Sequence, residues 1–471
     1  GCPWNYLRFI RANTPAPLAG DDPHKTPSPP AGEAQHETPS PLAGEGRGEG
    51  GHWTPAAGTF PGWPQTAQEL KCLDPCMGSG HFVVALFERL VALRMAEEGL
   101  DEATAVAAVI RDNLFGLEID PRCTQIAAFN LALAAWRQVG YCPLPAMNLA
   151  CSGLAPNARQ ADWLALAGDN DRLQRGMAKL YTLFKDAPVL GSLINPRLAS
   201  GDLLDAGFQE LQPLLEQALA QEAQDDIAHE MAVTAWGLAK AAEILAGQFT
   251  LVATNVPYLG QRKQDEELKD YCERVHPDAK ADLATCFVER GISFCTASGT
   301  IALVTPQNWL FLSSYSDLRE SILKRRTIGA IARLGAGAFE TIGGEVVNVA
   351  LFVSSDAKPD ESDKLFSLDV SRGTSPQAKA DSLRSDVGKL VEQSSQLKNP
   401  DCRFTGDEGR SGKLLEEYTL SPQGVKTGDD AKWKRTFWEL AAIGKGWRCY
   451  QAPVDQIMSF GGREHIIDWR T

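Results

Sequence analysis

The sequence predicts an α/β protein built on an open, mostly parallel sheet of seven strands, with a helical insertion and a partial C-terminal domain. Three observations predict it. From Leu70 onward, short apolar runs alternate with stretches of helical periodicity, the pattern of a parallel sheet covered by helices. A glycine-rich segment, Asp74-Pro-Cys-Met-Gly-Ser-Gly80, leaves the first apolar run and opens the first helix. Polar residues then recur where successive runs end, as Asp74, Glu118, Asp202 and Asn255.

Residues 1–69 are read as a disordered Pro/Gly-rich segment. They hold three consecutive twelve-residue near-copies, Thr14 to Lys25, Thr26 to Glu37 and Thr38 to Glu49, each too poor in large apolar side chains to build a core. Leu70 to Leu73 forms the first strand, and Phe82, Leu86, Leu90 and Leu93 recur at helical spacing after the glycines. Asp101 caps a second helix ending near Asn113, and Leu114 to Leu117 is a strand that delivers Glu118 at its carboxyl end. Asp120-Pro121 supplies a cap and a first-turn proline for a helix that stops at Gly140.

Residues 151–247 read as the helical insertion, with one strand end at Leu198 to Asp202. Phe249 to Thr254 is a buried strand feeding Asn255, and a helix over Ala281 to Cys295 precedes the strand Thr300 to Val304. Ile328 to Leu334 and Val346 to Val353 complete the set, joined through the turn at Gly343-Gly344. The sheet domain is thus expected over 70–355, a polar connector over 356–413, and the start of a truncated C-terminal region over 414–471.

A hydrophobic content of 44% with 23% charged residues suits a globular protein. No apolar run approaches a membrane span and no signal peptide is recognised, so a cytoplasmic protein without a membrane partner is expected. The chain opens on Gly1, which points to a start inside a longer reading frame. Eleven cysteines are scattered without Cys-x-x-Cys pairs or a histidine cluster, so no metal site is expected. The net charge of −14 argues against a general nucleic-acid-binding surface. Basic residues cluster only locally, at Arg262-Lys263, where phosphate contact is conceivable, and at Lys324-Arg325-Arg326, which reads as a solvated helix end.

Ligands of open parallel sheets bind beside the carboxyl ends of the strands, where strand order reverses. Gly78, Ser79 and Gly80 suit close backbone approach to a nucleoside-bearing cofactor, and Val83 replaces the third glycine of a dinucleotide fingerprint. Glu118 suits two ribose hydroxyls. Asn255-Val-Pro-Tyr258 offers an amide oxygen, a backbone carbonyl and an aromatic ring, which together grip a planar base bearing an exocyclic amine. Two acceptors on that amine draw its lone pair out of the ring and toward a methyl donor.

These segments, with Gly116-Leu-Glu-Ile-Asp-Pro121, Asp282 to Arg290, Thr305 to Trp309, Gly344 to Asn348 and Gly424 to Asp429, resemble the motifs of adenine-specific DNA methyltransferases. The nearest resemblance is to type IIG restriction–modification enzymes and to the PglX methyltransferases of BREX phage defence, over about Leu70 to Trp469. The resemblance implies a Rossmann-like methyltransferase sheet, S-adenosyl-L-methionine as cofactor, and double-stranded DNA with a flipped adenine as partner, alongside other subunits of a defence system. It implies that Asp74, Gly78, Ser79 and Gly80 hold the methionine part of the cofactor. Glu118 would bind its ribose, and Ile119 and Asp202 its adenine. Asn255, Val256, Pro257 and Tyr258 would clamp the target base, with Val256 standing where the family has proline. The alternatives are an inactive DNA-binding remnant of such an enzyme, or a methyltransferase acting on RNA or on a protein glutamine.

Overall fold

The computed structural model describes residues 9–11, 53–55, 59–165, 167–168, 170–198, 226–339, 347–406, 418–419, 425, 429–452 and 461–469. Its principal sheet has nine strands, not the seven expected. In chain order they are β1 (Cys72–Asp74), β2 (Leu114–Glu118), β3 (Asn148–Cys151), β4 (Phe249–Asn255) and β5 (Cys295–Pro306). Then follow β6 (Thr327–Gly335), β7 (Val349–Ser355), β8 (Lys364–Asp369) and β9 (Lys389–Glu392). Across the sheet the order is β9-β8-β6-β7-β5-β4-β1-β2-β3.

The sheet is mixed. β7 runs antiparallel to both β5 and β6, and β9 antiparallel to β8, while the other neighbouring pairs are parallel. The chain leaves β1 for β2 on one side and returns on the other as β4, so the order reverses between β1 and β4. That reversal opens the crevice in which such sheets bind ligands.

Helices cover the central strands. α1 (His81–Glu98) follows β1, α2 (Glu102–Asp112) leads into β2, and α3 (Pro121–Val139) follows β2. The caps are local and strong: Asp101 accepts from the Thr104 amide and Asp120 from the Arg122 amide. Arg94, buried on α1, bonds Glu98, Asp112 and Asn113 and so locks α1 to the end of α2.

Further along lie α4 (Asp171–Phe184), α5 (Asp226–Ala246), α6 (Glu266–Val275), α7 (Leu283–Phe294) and α8 (Ser316–Arg325). Arg290 of α7 is fully enclosed. Its guanidinium donates to the carbonyls of Ser192, Ile194 and Leu245 and to the Ser293 hydroxyl, which stitches the segment between β3 and β4 to the helix behind β5.

Several expectations need correction. Residues 356–413 do not form a mere connector, because β8, β9 and a helix over Pro376–Ser385 extend the sheet edge. Leu198 closes a short 3-10 turn (Pro196–Leu198), and the third strand is Asn148–Cys151 instead. The segment up to residue 69 is ordered at its end. Trp63 donates to the Thr300 hydroxyl, the Ala67 amide bonds Glu97, and the buried Asn113 amide holds the Ala67 and Leu70 carbonyls. Phe9–Arg11 pairs with Trp53–Pro55, while the three repeats lie outside the described residues.

Residues 1–410 and 411–471 form two compact units. The second contains a three-stranded antiparallel sheet of β10 (Lys434–Thr436), β11 (Trp447–Tyr450) and β12 (His465–Asp468), with β12 central. No described helix is long and apolar enough to cross a membrane.

Candidate active site

The glycine loop is tied to β2 as well as to β1. Asp74 accepts from the Cys76 amide at 3.1 Å, and the Met77 amide donates to the Leu117 carbonyl at 3.0 Å. The Gly78 amide then donates to Glu118 Oε2 at 2.7 Å, and Glu118 Oε1 accepts from the Asp120 amide at 3.0 Å. Both glycines sit at positive φ, 53° for Gly78 and 85° for Gly80. They serve different ends. A Cβ on Gly78 would meet nothing within 4 Å, whereas one on Gly80 would press to 3.0 Å of the Ala127 side chain. Gly78 therefore leaves open space, and Gly80 permits close packing on α3. Ser79 is held by its neighbours: its carbonyl accepts from Asn130 at 2.9 Å and its hydroxyl lies 3.0 Å from His81 Nδ1.

Asp74 is almost wholly enclosed, and burial pushes its carboxyl up to about 7. The Thr254 hydroxyl and the Cys76 amide pull it back down, and the negative charge of Glu118 adds to the rise. Thr254 Oγ1 is itself buried and makes no full hydrogen bond. Ile119, next after Glu118, leaves 41% of its surface exposed at the same edge.

Asn255 ends β4, the strand beside β1, and directly follows Thr254. Its side chain is exposed, and Tyr258 donates its hydroxyl to Asn255 Oδ1 at 3.1 Å. Val256 turns inward, 3% exposed, and its amide donates to the Val304 carbonyl of β5 at 3.3 Å. A proline at this place could not make that bond, so the ladder supplies the constraint a ring would give. Pro257 is exposed and Tyr258 half-buried against the core. Burial, with the nearby charge of Asp282, raises the Tyr258 phenol above its ordinary range.

The structure thus brings Asp74, Gly78, Ser79, Gly80, Glu118 and Ile119 to the ends of β1 and β2, with Asn255, Val256, Pro257 and Tyr258 next to them on β4. Asp202 lies outside the described residues. A groove of about 330 Å³ is lined by Gly80, His81, Val84, Asn130, Leu133 and Arg137. Of the assigned site residues Gly80 lines it, and Asp74, Glu118 and Asn255 do not.

Two residues were not assigned a role from the sequence. Thr254 reaches Asp74 across the strand pair, and its signal was its place immediately before Asn255. Asp282 caps α7 by accepting from the Ala284 amide at 2.9 Å and also accepts from the Leu259 amide at 3.3 Å. It thereby holds the residue that follows Tyr258. The cap was legible as an Asp before an apolar helix, but the second bond spans 23 residues.

The model of the Eco57I restriction-modification methylase family matches residues 112–339. The adenine-specific methyltransferase PglX of Lacticaseibacillus casei (strain Zhang) is 30% identical over 300 residues, which cover 62% of this chain and 24% of that protein. The adenine-specific methyltransferase BrxX of Escherichia coli O9:H4 (strain HS) is 29% identical over 309 residues, 61% of this chain and 25% of the relative. The chain is similar to these PglX-like proteins. It spans about a quarter of the length of these PglX-like relatives. Among solved structures, the ATP-dependent Type ISP restriction-modification enzyme LlaBIII bound to DNA matches with a TM-score of 0.45 at 13% identity, over 78% of this chain and 22% of that one.

Proposed function

We propose that this chain is the catalytic core of an S-adenosyl-L-methionine-dependent methyltransferase that modifies the N6 amine of adenine in DNA, within a restriction–modification or phage-defence system. The observation that carries this reading is the adjacency of two strand ends. The Gly78–Gly80 loop and Glu118 stand on one side of the point where strand order reverses, and Asn255 stands on the other. The names of the PglX and BrxX relatives support the same substrate class.

The residues at β1 and β2 fit the cofactor. Each Glu118 oxygen already accepts one amide and keeps a lone pair for a ribose hydroxyl. Asp74 is a buried carboxyl beside an unsatisfied Thr254 hydroxyl, a pair suited to an ammonium group. Ile119 offers an exposed apolar face for an adenine ring. The bound cofactor supplies an electrophilic methyl group on a sulfonium centre.

The chain's own work is positioning. Double-stranded DNA presents a flipped adenine, whose amine donates to Asn255 Oδ1 and the Val256 carbonyl while Tyr258 stacks on the ring. Tyr258 already bonds Asn255 Oδ1, and an amide oxygen can accept twice, so the base can enter without displacing it. No enzyme-bound intermediate is needed, because fixed acceptors raise the nucleophilicity of the amine in place.

The test is methyl incorporation from S-adenosyl-L-methionine into duplex DNA containing adenine in every short context, read by long-read sequencing. N6-methyladenine in a fixed context supports the reading. Cofactor binding with methylation of RNA or of a glutamine amide, and none of DNA, would overturn it.

A further inference from the structure

We infer that Arg262 is a positioning contact for a phosphodiester next to the flipped adenine, presented at a set place by a loop stitched to the base clamp; this rests on the methyltransferase reading above.

The loop from Leu259 to Gln264 continues directly from Tyr258, and most of its polar groups are tied down. The Leu259 amide is held by Asp282, and the Leu283 amide donates back to the Leu259 carbonyl at 3.0 Å. Gly260 bridges Asp282, and the Gln261 amide donates to the Ala281 carbonyl at 3.0 Å. The Gln261 side chain donates to Glu273 at 2.8 Å, and the Gln264 side chain folds back to the Leu259 carbonyl at 3.0 Å. Residues Gln261–Lys263 close the loop as a single 3-10 turn.

Against this fixed backbone, Arg262 is exposed, and among the described residues it makes no hydrogen bond, ion pair or ring contact. Some other surface cations are paired. Lys324 pairs with Glu320, Arg326 with Asp356, and Arg122 with Asp120. The stitched backbone has little freedom left to lose on binding, and the planar fork of the guanidinium matches two phosphate oxygens.

Distance and surroundings support one phosphate in particular. Arg262 is four positions beyond Tyr258, so their Cα atoms lie within roughly 14 Å even if the chain were extended, and the turn brings them closer. The phosphates flanking an extruded nucleotide must lie close to whatever holds its base. Beyond Lys263 and Gln264 come Asp265, Glu266 and Glu267, on a chain of net charge −14, so the loop is no general attractor of DNA. Arg262 can act only on a phosphate brought to it by base capture. Phosphate contacts of this kind set register and carry no sequence information.

The experiment compares the unsubstituted chain with Arg262→Ala and Arg262→Lys in methyl transfer to adenine-containing duplex DNA across a range of salt concentrations. Arg262→Ala should raise KM for DNA several-fold, leave kcat and S-adenosyl-L-methionine affinity unchanged, and flatten the log–log salt dependence of DNA binding by about 1. Arg262→Lys should restore the salt slope and part of the KM, which a purely structural role would not produce. Unchanged KM and salt slope in Arg262→Ala, with cofactor binding intact, would overturn the inference while leaving the methyltransferase reading in place. Failure of the unsubstituted chain to methylate DNA while binding cofactor would sink both.

Discussion

The two halves of the site are built on opposite principles. On the β1–β2 side, Asp74 and Glu118 are enclosed, and backbone amides have already claimed part of their bonding capacity. On the β4 side, Asn255 and Pro257 stand in solvent, and rigidity comes from beneath, through Val256 to β5 and Leu259 to Asp282. A small charged ligand is best met by preformed, desolvated polar groups. A base delivered from a duplex needs an open approach to a fixed edge. The difference separates electrostatic cost from conformational cost, and each can be probed alone.

The largest effect should come from the open side. Asn255→Ala removes a side-chain acceptor for the amine and should lower kcat by about 10²–10³-fold, with S-adenosyl-L-methionine affinity unchanged by calorimetry. A loss confined to KM for DNA would show that Asn255 only binds. Asp74→Asn probes the enclosed side and should split function from stability. Cofactor binding should fall by about 100-fold or more, because a neutral amide cannot pair with an ammonium group. The ligand-free protein should become more stable at pH 8 by up to about 4 kcal/mol, seen as a higher urea midpoint.

The sign of that stability change follows from proton uptake. The folded Asp74 carboxyl stands at about 7, above its ordinary 3.8, so the folded state binds the extra proton. Its contribution is fully present below pH 3.8 and is lost as pH rises through about 7. Cofactor binding runs the other way, since an ammonium group requires the ionised form. Affinity should weaken as pH falls below about 7, approaching tenfold per pH unit, and Asp74→Asn should abolish this dependence. A flat affinity profile between pH 5 and pH 8, taken as roughly the physiological window, would remove Asp74 from the cofactor's ammonium. The smallest effect is expected from Val256→Pro, which deletes the amide bond to Val304 and should cost about 1–2 kcal/mol of stability while changing kcat little. A large fall in kcat would mean that the hydrogen-bonded ladder, and not ring stiffness, is what aligns the clamp.

What could be read in advance was whatever depended on neighbours in the chain. Asp101, Asp120-Pro121 and the stop at Gly140 are local signals, and the helices begin and end at them. The glycine loop and Asn255 were placed at strand ends because apolar runs precede them. Asn148–Cys151 escaped notice because four residues cannot establish a period, and β8 and the edge strand β9 because they carry too many polar residues to stand out from a connector. Long-range bonds were invisible for a different reason. Nothing near Asp282 announces Leu259, and nothing near Thr254 announces Asp74. The structure also gives sense to one substitution: Val256, standing where the resemblance has proline, supplies a donor that proline lacks.

Arg290 has a consequence for how such enzymes could be recombined. Because one enclosed cation serves carbonyls from Ser192, Ile194 and Leu245, the stretch between β3 and β4 is not a detachable module. Excising it, or grafting a relative's version without α7, would strand a guanidinium in an apolar interior at a cost of several kcal/mol. Hybrid enzymes cut between β3 and β4 should therefore accumulate as insoluble protein, whereas exchanges that carry that stretch together with α7 should remain foldable.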